Sequence, residues 1–155
     1  MHDGRHDFDF YFGDWSIRNE RLKGRLIGCT DWERFDATQT CRPVLGGVGN
    51  LDEFGGSDGF LGMTLRLYDL ERHHWNIYWA SNRTGTLEPP VTGVFEDGVG
   101  TFFGRDVHRG IPVVVRFTWF DITPRSASWD QAFSTDDGQT WETNWRMRMT
   151  RRERA

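Results

Sequence analysis

The stretch WDQAFSTDDGQTWETNW, residues 129–145, says more about the fold than any other part of the chain. It fills every fixed place of the pattern SxDxGxTW, with Ser134, Asp136, Gly138, Thr140 and Trp141. The Asp136 carboxylate can accept hydrogen bonds from the backbone of its own turn, and Gly138 tolerates a positive φ. Thr140 and Trp141 then open a return strand. The stretch therefore predicts a β-hairpin.

The octet from Ser134 to Trp141 resembles the Asp-box of sialidases and related proteins. The resemblance implies a structural turn without a catalytic role. A single hairpin of this kind in 155 residues excludes a sialidase propeller, because a propeller needs several sheet blades. The octet is informative about the fold and not about a reaction.

Turn signals recur along the whole chain, and three of them are Asp-Gly pairs, which suit a type I′ hairpin. Short runs with a period of two lie between the signals, as in VVVRFTWF at residues 113–120. The predicted strands lie near residues 14–22, 31–42, 48–55, 60–69, 74–83, 91–96, 99–107, 112–120, 126–134 and 140–150. Antiparallel strands in this number need closure to remove their edges, so we expect an all-β, antiparallel up-and-down barrel. A flattened sandwich is the alternative.

Length and composition indicate one domain over residues 1–155 with a single core. A formal net charge of −4 gives no positive field for phosphates, so no nucleic-acid partner is expected. No run of even 10 apolar residues occurs, so neither secretion nor membrane contact is predicted, and a cytoplasmic location follows. Cys29 and Cys41 are expected to be free thiols, because an extended strand between them would hold them too far apart for a disulfide.

A family resemblance extends over nearly the full length. Its segments are FDFYFGDW (8–15), LRLYDL (65–70), IYWASNRTGTLEPPVTGVFEDG (77–98) and STDDGQTWETNW (134–145). They resemble a family of small, functionally uncharacterised bacterial proteins assigned to the lipocalin-like (calycin) barrels, whose GxW motif matches Gly13 to Trp15. The resemblance implies a short helical turn before the first strand and a Trp that closes the barrel floor. An Arg at the end of the last strand, here Arg148 or Arg151, would stack on that Trp.

Nitrobindin-like haem barrels have a related architecture, with a glycine motif after the first Trp and a haem-ligating His near the C-terminus. In this chain SIRN follows Trp15, and His108 is the last histidine. No cofactor is therefore expected.

The inward residues of a small barrel decide what it can hold. If the more apolar face of each strand points inward, the apolar lumen residues are Ile17, Phe35, Leu65, Trp75, Trp79, Phe117, Trp119, Trp129, Phe133, Trp145 and Met147. The polar residues on the same faces are Asn19, Glu33, Gln39, Ser81, Arg83 and Gln131. A buried polar group needs a partner, and inside a cavity that partner can be a ligand.

The first functional hypothesis is a barrel that binds a small, largely apolar molecule with one polar or acidic end. Arg83 with Glu33 or Gln131 could bind a carboxylate or enol oxygen, because guanidinium offers a bidentate fork. The predicted ligand-binding residues are Glu33, Trp79, Arg83, Trp119, Trp129 and Gln131. The alternative for Arg83 is an ordinary cation at the barrel rim, and for the tryptophans it is simple core packing.

Two other hypotheses stay open. Asp106 and His108 share one strand face at a spacing that could ligate a metal, act as acid and base in an isomerase, cyclase or lyase, or simply end a solvated hairpin. No catalytic or metal-binding residue is assigned on this pattern. Outward rings such as Tyr78, Phe103 and Phe120 could instead form the face of a homodimer.

Overall fold

The computed structural model describes residues 2–153 as a closed barrel of ten antiparallel strands. The strands are β1 (Gly13–Leu22), β2 (Trp32–Val44), β3 (Gly49–Gly56), β4 (Leu61–Asp69), β5 (His74–Ser81), β6 (Val91–Glu96), β7 (Val99–His108), β8 (Ile111–Phe120), β9 (Ser126–Ser134) and β10 (Glu142–Arg151). Each strand pairs with the next, and β1 pairs with β10, so no edge is left open. The predicted up-and-down barrel is confirmed, and the flattened sandwich is wrong.

Tight turns set the register between several strands. Asp97 and Gly98 both have positive φ, 52° and 78°, in the two-residue loop between β6 and β7, as a type I′ turn requires. Arg109 and Gly110 form the same kind of turn between β7 and β8, with φ of 48° and 81°. The other two Asp-Gly pairs lie in longer loops, at residues 57–60 and 135–141, where they do not form two-residue hairpins.

The 135–141 loop has the local hydrogen bonds that its sequence predicts. The Asp136 carboxylate accepts hydrogen bonds from the Thr140 backbone N–H at 2.9 Å and from the Ser134 hydroxyl at 2.7 Å. The Gly138 N–H donates to Ser134 Oγ at 2.8 Å. The return strand begins at Glu142 rather than Thr140, because the loop hydrogen bonds occupy residues up to Thr140.

The N-terminal segment closes one end of the barrel. It contains two short 3₁₀ turns, Gly4–His6 and Asp9–Tyr11, which confirms the helical turn expected before β1. Phe8 and Tyr11 are fully buried, and Tyr11 stacks on Trp15 with 4.9 Å between ring centroids. The Arg151 guanidinium lies 4.3 Å from the Trp15 ring centroid, so Arg151 is the stacked arginine of the floor.

Strand β4 corrects one of the sequence-based assignments. Leu65 was expected in the lumen, but it is half-buried on the outer face, and the buried residues of the strand are Thr64, Arg66 and Tyr68. The inner face is polar here because Arg66 is paired with Asp52 on the neighbouring strand β3. Apolarity therefore does not decide which face of β4 points inward.

Two further features bear on the sequence-based expectations. Both cysteines are free, with Cys29 half-buried and Cys41 buried. In the part of the chain described here, no helix is long and apolar enough to cross a membrane.

Candidate ligand-binding cavity

A cavity of about 220 Å³ runs through the barrel interior. Its walls are mostly rings and aliphatic side chains from six of the strands, namely Phe54, Ile77, Trp79, Val91, Val113, Val115, Phe117, Trp119, Trp129, Phe133, Trp145 and Met147. Alternate residues of a strand point inward, so each strand contributes residues two apart, as Val113, Val115, Phe117 and Trp119 do on β8. The volume lies below the roughly 300–1,000 Å³ of sites for drug-sized ligands, so the cavity suits a smaller molecule.

The floor side of the cavity carries a buried ion pair. Arg66 is 3% exposed and Asp52 is fully buried, and Arg66 Nη2 lies 2.7 Å from Asp52 Oδ2. Arg66 Nη1 also donates to Asn50 Oδ1 at 2.9 Å, and the Thr64 N–H donates to Asp52 Oδ1 at 3.2 Å. Burial is the largest single influence on Arg66 and disfavours its charge, but the interactions with Asp52, Cys41 and Tyr11 together outweigh it, so the pKa of Arg66 lies above its usual value.

One donor of this cluster is left without a partner. Arg66 Nε has no hydrogen-bond acceptor among the described residues, although the side chain is buried and lines the cavity. Its guanidinium carbon lies over three rings, at 5.1 Å from Phe8, 5.6 Å from Tyr11 and 5.6 Å from Trp119. A buried donor without an acceptor is unusual in a folded protein, and Arg66 Nε itself has almost no accessible surface, so it does not face the open part of the cavity.

The other end of the cavity is charged. Its lining includes Arg25, Glu88, Asp106 and His108. Partial burial, together with the charge of Asp106, raises the pKa of Glu88, and partial burial with the charge of Arg25 lowers the pKa of His108. The mouth therefore holds titratable groups with displaced pKa values beside an apolar cavity.

Four of the six predicted ligand-binding residues line the cavity: Trp79, Trp119, Trp129 and Gln131. Gln131 Nε2 donates to Asn144 Oδ1 at 2.8 Å. Glu33 and Arg83 are outside the lining.

These two residues have other partners than those predicted from the sequence. Glu33 Oε1 accepts a hydrogen bond from Arg21 Nε at 2.7 Å. Arg83 lies at the rim with 62% of its side chain exposed, and its Nη2 is 3.7 Å from Asp58 Oδ2. The structure does not bring Arg83 together with Glu33 or Gln131, and the binding roles of all six residues stay predictions.

Sequence reasoning missed Asp52 and Arg66. The usable signal was their opposite charge at positions that a β3–β4 hairpin places close together, since Asp52 pairs with Thr64 and Asn50 with Arg66. Choosing the inward face of a strand by its apolarity hides this signal. In β4, Leu65 and Leu67 make the face opposite Arg66 the more apolar one.

The rings predicted for a homodimer face do lie on the outer side of their strands. Phe103 is 47% exposed and lies 6.0 Å from Trp141, while Tyr78 and Phe120 are half-buried. The Arg148 guanidinium lies 5.2 Å from the Phe120 ring centroid. Self-association through this face stays a prediction.

Fold and cavity together define the class, which is a closed up-and-down β-barrel of ten antiparallel strands with an internal cavity. Neither a protein-family model nor a curated protein matches the sequence. Among solved structures, that of the S-type phycobiliprotein lyase CPES from Guillardia theta is similar over 100% of this chain and 96% of its own, with a TM-score of 0.65 and 11% identity. Identity this low shows a shared fold and carries no activity across.

The described residues contain no group of three or more His, Cys, Asp or Glu side chains that could hold a metal ion. The Cys41 thiol is buried, with its Sγ 3.7 Å from Asn50 Oδ1. Burial raises its pKa to about 12, so the thiolate is scarce at neutral pH. The charged side chains of the cavity lining are Arg66 at the floor and Arg25, Glu88, Arg105, Asp106 and His108 towards the mouth.

Proposed function

We propose that the protein binds a small, largely apolar molecule with one polar or acidic end inside the barrel. The chain would act as one domain, residues 1–155, of the lipocalin-like bacterial family that its sequence resembles. The observation that supports this most is an aromatic-walled cavity of about 220 Å³ with the buried Arg66–Asp52 pair at its floor. The rings favour an apolar body, and the few polar groups of the lining favour one polar end.

Trp79, Trp119 and Trp129 supply flat apolar surface for the body of the ligand, and Gln131 supplies a polar contact on the wall. Arg83 and Glu33, at the rim, are proposed to act on the ligand as it enters rather than at its final position. This division follows from their places, since Arg83 is mostly exposed and Glu33 is held by Arg21.

Native mass spectrometry of the protein purified from its own host, before and after denaturation, tests this function. We expect a non-covalent mass that denaturation releases and that is absent from Val115→Trp, in which a new ring fills the cavity. Val114→Trp, on the outer face of the same strand, is the matched control and should keep the ligand. A bare chain, with tryptophan fluorescence that ignores hydrophobic probes at millimolar concentration, would contradict the proposal.

A second candidate function is general acid–base catalysis at the mouth, as in an isomerase, cyclase or lyase. Asp106 and His108, two apart on β7, both line the cavity, and Glu88 lies beside them with a raised pKa. An assay of proton exchange from bound carbonyl compounds would test it. If Asp106→Asn and Glu88→Gln leave any exchange unchanged, these groups are not the acid and base.

A further inference from the structure

We infer that the polar end of the ligand is a neutral carbonyl group, bound by the side-chain amide of Gln39 at the floor side of the cavity. The ligand class is then a single-ring aromatic ketone, ester or amide. This rests on the proposed function and adds to it the class of ligand and the residue that recognises its polar end. Gln39, on β2, is 4% exposed and lines the cavity.

The hydroxyl of Tyr11 fixes the orientation of the Gln39 amide. Tyr11 is fully buried in the N-terminal segment that closes the floor, and its hydroxyl donates a hydrogen bond to Gln39 Oε1. Burial raises the pKa of Tyr11 well above its usual value, so the hydroxyl keeps its proton and remains a donor. An amide oxygen accepts such a bond and an amide nitrogen does not, so Nε2 of Gln39 is directed away from Tyr11.

The amide nitrogen of Gln39 is a free donor that the cavity can reach. Nε2 has no hydrogen-bond acceptor among residues 2–153. Whereas Arg66 Nε has almost no accessible surface, Gln39 Nε2 keeps some, on a side chain that lines the cavity. At 4% exposure this donor has little access to bulk water, and an acceptor atom on a ligand would satisfy it.

A second polar group faces the same space. Thr64, on β4, is 6% exposed and lines the cavity, and its hydroxyl is accessible but forms no hydrogen bond within the described part of the chain. Strand β3 lies between the two residues, because Gln39 pairs with Phe54 on one side of it. Thr64 pairs with Asp52 on the other side. The floor side therefore offers one oriented donor and one hydroxyl that can donate or accept.

The charges around the cavity select a neutral acceptor over a carboxylate. At the floor, Asp52 neutralises Arg66 at 2.7 Å, and the free polar groups there are uncharged. Towards the mouth, Arg105 is paired with Asp137 at 3.0 Å, and Arg25 lies in the field of three carboxylates, those of Glu88, Glu142 and Glu33. A carboxylate ligand would lose its hydration without meeting an uncompensated cation. A carbonyl oxygen accepts the same hydrogen bonds without bringing a charge.

The walls and the volume limit the body of the ligand. Aromatic side chains favour a flat ring, because offset and edge-to-face contacts with it are favourable. A space of about 220 Å³ is below that of sites for drug-sized ligands, which indicates one ring with short substituents rather than a fused system.

Isothermal titration calorimetry with three probes of matched shape tests the inference. The probes are 4-methylacetophenone, 4-isopropenyltoluene, which replaces the carbonyl oxygen by a methylene group, and 4-methylbenzoate, which carries a carboxylate. In the wild-type protein we expect 4-methylacetophenone to bind about tenfold more tightly than either of the others, because only a neutral carbonyl satisfies Gln39 without a cost in charge. Equal or tighter binding of the isopropenyl probe or of the benzoate would overturn the inference and leave the proposed function standing.

Two variants assign the contacts. Gln39→Met keeps the length of the side chain but has no donor, so the preference for the ketone over the isopropenyl probe should vanish. Thr64→Val removes the hydroxyl at nearly constant shape and should reduce that preference by about threefold. Thr38→Val, on the exposed face of β2, is the matched control and should keep the full preference.

Gln39→Met leaves the Tyr11 hydroxyl without an acceptor. If this variant does not fold by circular dichroism, the double variant Tyr11→Phe with Gln39→Met takes its place, because it removes both partners of the buried hydrogen bond. A ketone preference that survives the loss of the Gln39 amide would overturn the inference. An unchanged preference in Thr64→Val would overturn the role given to Thr64.

The same titrations separate the ligand class from the function on which it rests. Binding of all three probes with similar affinity would overturn the ligand class alone. Absence of binding by all three, with unchanged tryptophan fluorescence, would contradict the proposed function and the inference with it.

Discussion

At the scale of single residues, Arg66 is the side chain with the largest consequences. It brings a charge into an aromatic core, where Asp52 and Asn50 compensate for it. The free energy needed to remove two charges from water usually offsets the attraction between them. Stability alone therefore does not explain the buried pair of Arg66 and Asp52. The pair lies at the floor of the cavity, in which the proposed ligand would bind.

Loss of one member of the pair should destabilise the fold strongly. Arg66→Met leaves the Asp52 carboxylate buried and unpaired, and we expect the free energy of unfolding to fall by about 3–5 kcal/mol. Urea denaturation followed by tryptophan fluorescence measures it. The double variant Asp52→Leu with Arg66→Met removes both charges and should recover most of the loss.

The matched control is Arg125→Met, which removes an exposed ion pair in which both side chains are more than 70% exposed. Its free energy of unfolding should change by about 0–1 kcal/mol. A loss in Arg66→Met no larger than that of the control would show that Asp52 is not a buried, paired charge.

The pKa of Asp136 gives a prediction on pH. Hydrogen bonds from the Thr140 side chain and backbone and from Ser134 lower the pKa of this carboxyl to about 2. A depressed folded-state pKa stabilises the folded state above the ordinary pKa of 3.8, and this contribution is lost as the pH falls towards 2. The stability difference between the wild type and Asp136→Ala should therefore shrink from pH 4 to pH 2, in parallel with the carboxyl titration seen by NMR. A carboxyl that titrates near 4 would contradict the hairpin geometry.

At the scale of elements, β4 and β5 show how a glycine shapes the cavity. A Cβ at Gly62 would overlap the indole ring of Trp79, so the absence of a side chain at Gly62 lets that ring lie against the wall. Gly55, on the neighbouring strand β3, has only ordinary contacts around its Cβ position, the nearest at 3.8 Å. Comparing substitutions at these two glycines therefore separates an effect on the cavity from the general effect of replacing a glycine in a strand.

Gly62→Ala should push Trp79 into the cavity, lower the free energy of unfolding by about 1–3 kcal/mol and weaken probe binding. Gly55→Ala should leave both within experimental error of the wild type. Thermal denaturation and a tryptophan-fluorescence titration with a hydrophobic probe provide the measurements. Equal effects of the two substitutions would mean that Gly62 does not position Trp79.

The elements also show what the sequence can predict. Every strand was predicted with ends within two residues of those observed, because turn residues and period-two runs act locally. Strand β8 also has the predicted inner face, since Phe117 and Trp119 share it with Val113 and Val115. Strand β4 does not, because its inner face depends on Asp52, a partner from another strand that no local pattern reveals.

At the scale of the whole molecule, the two chain ends close the barrel together. Arg151, at the end of β10, stacks on Trp15 and donates hydrogen bonds to the carbonyl oxygens of Phe10, Phe12 and Pro124. These contacts join the last strand to the N-terminal segment that forms the floor. The GxW resemblance predicted this closure but left Arg148 and Arg151 as alternatives, since both lie near the end of the last strand.

Arg151→Ala should loosen the floor and lower the free energy of unfolding by about 2–4 kcal/mol, because several carbonyl oxygens lose a charged donor at once. Arg152→Ala, next in sequence with an exposed side chain, is the control and should cost little. Hydrogen exchange of the residue 8–12 amides should accelerate in Arg151→Ala alone. Unchanged exchange there would contradict the role given to Arg151.

The sequence predicts only part of the cavity site, because the rest depends on how the whole chain folds. The cavity tryptophans could be assigned because a large ring on a barrel strand is usually buried in the core. Arg83 could not be distinguished from a cation at the rim. The mouth residues Arg25 and Glu88 come from loops whose path the sequence does not specify.

The measurement that tests the central claim most directly is a ¹H–¹⁵N NMR titration of the indole N–H groups with 4-methylacetophenone. The chain has eight tryptophans, and those in the cavity lining are Trp79, Trp119, Trp129 and Trp145. If a small apolar ligand binds inside the barrel, the signals of these four should shift in a saturable manner while those of Trp15, Trp32, Trp75 and Trp141 stay in place. Shifts confined to the tryptophans outside the cavity lining, or none at all, would contradict it.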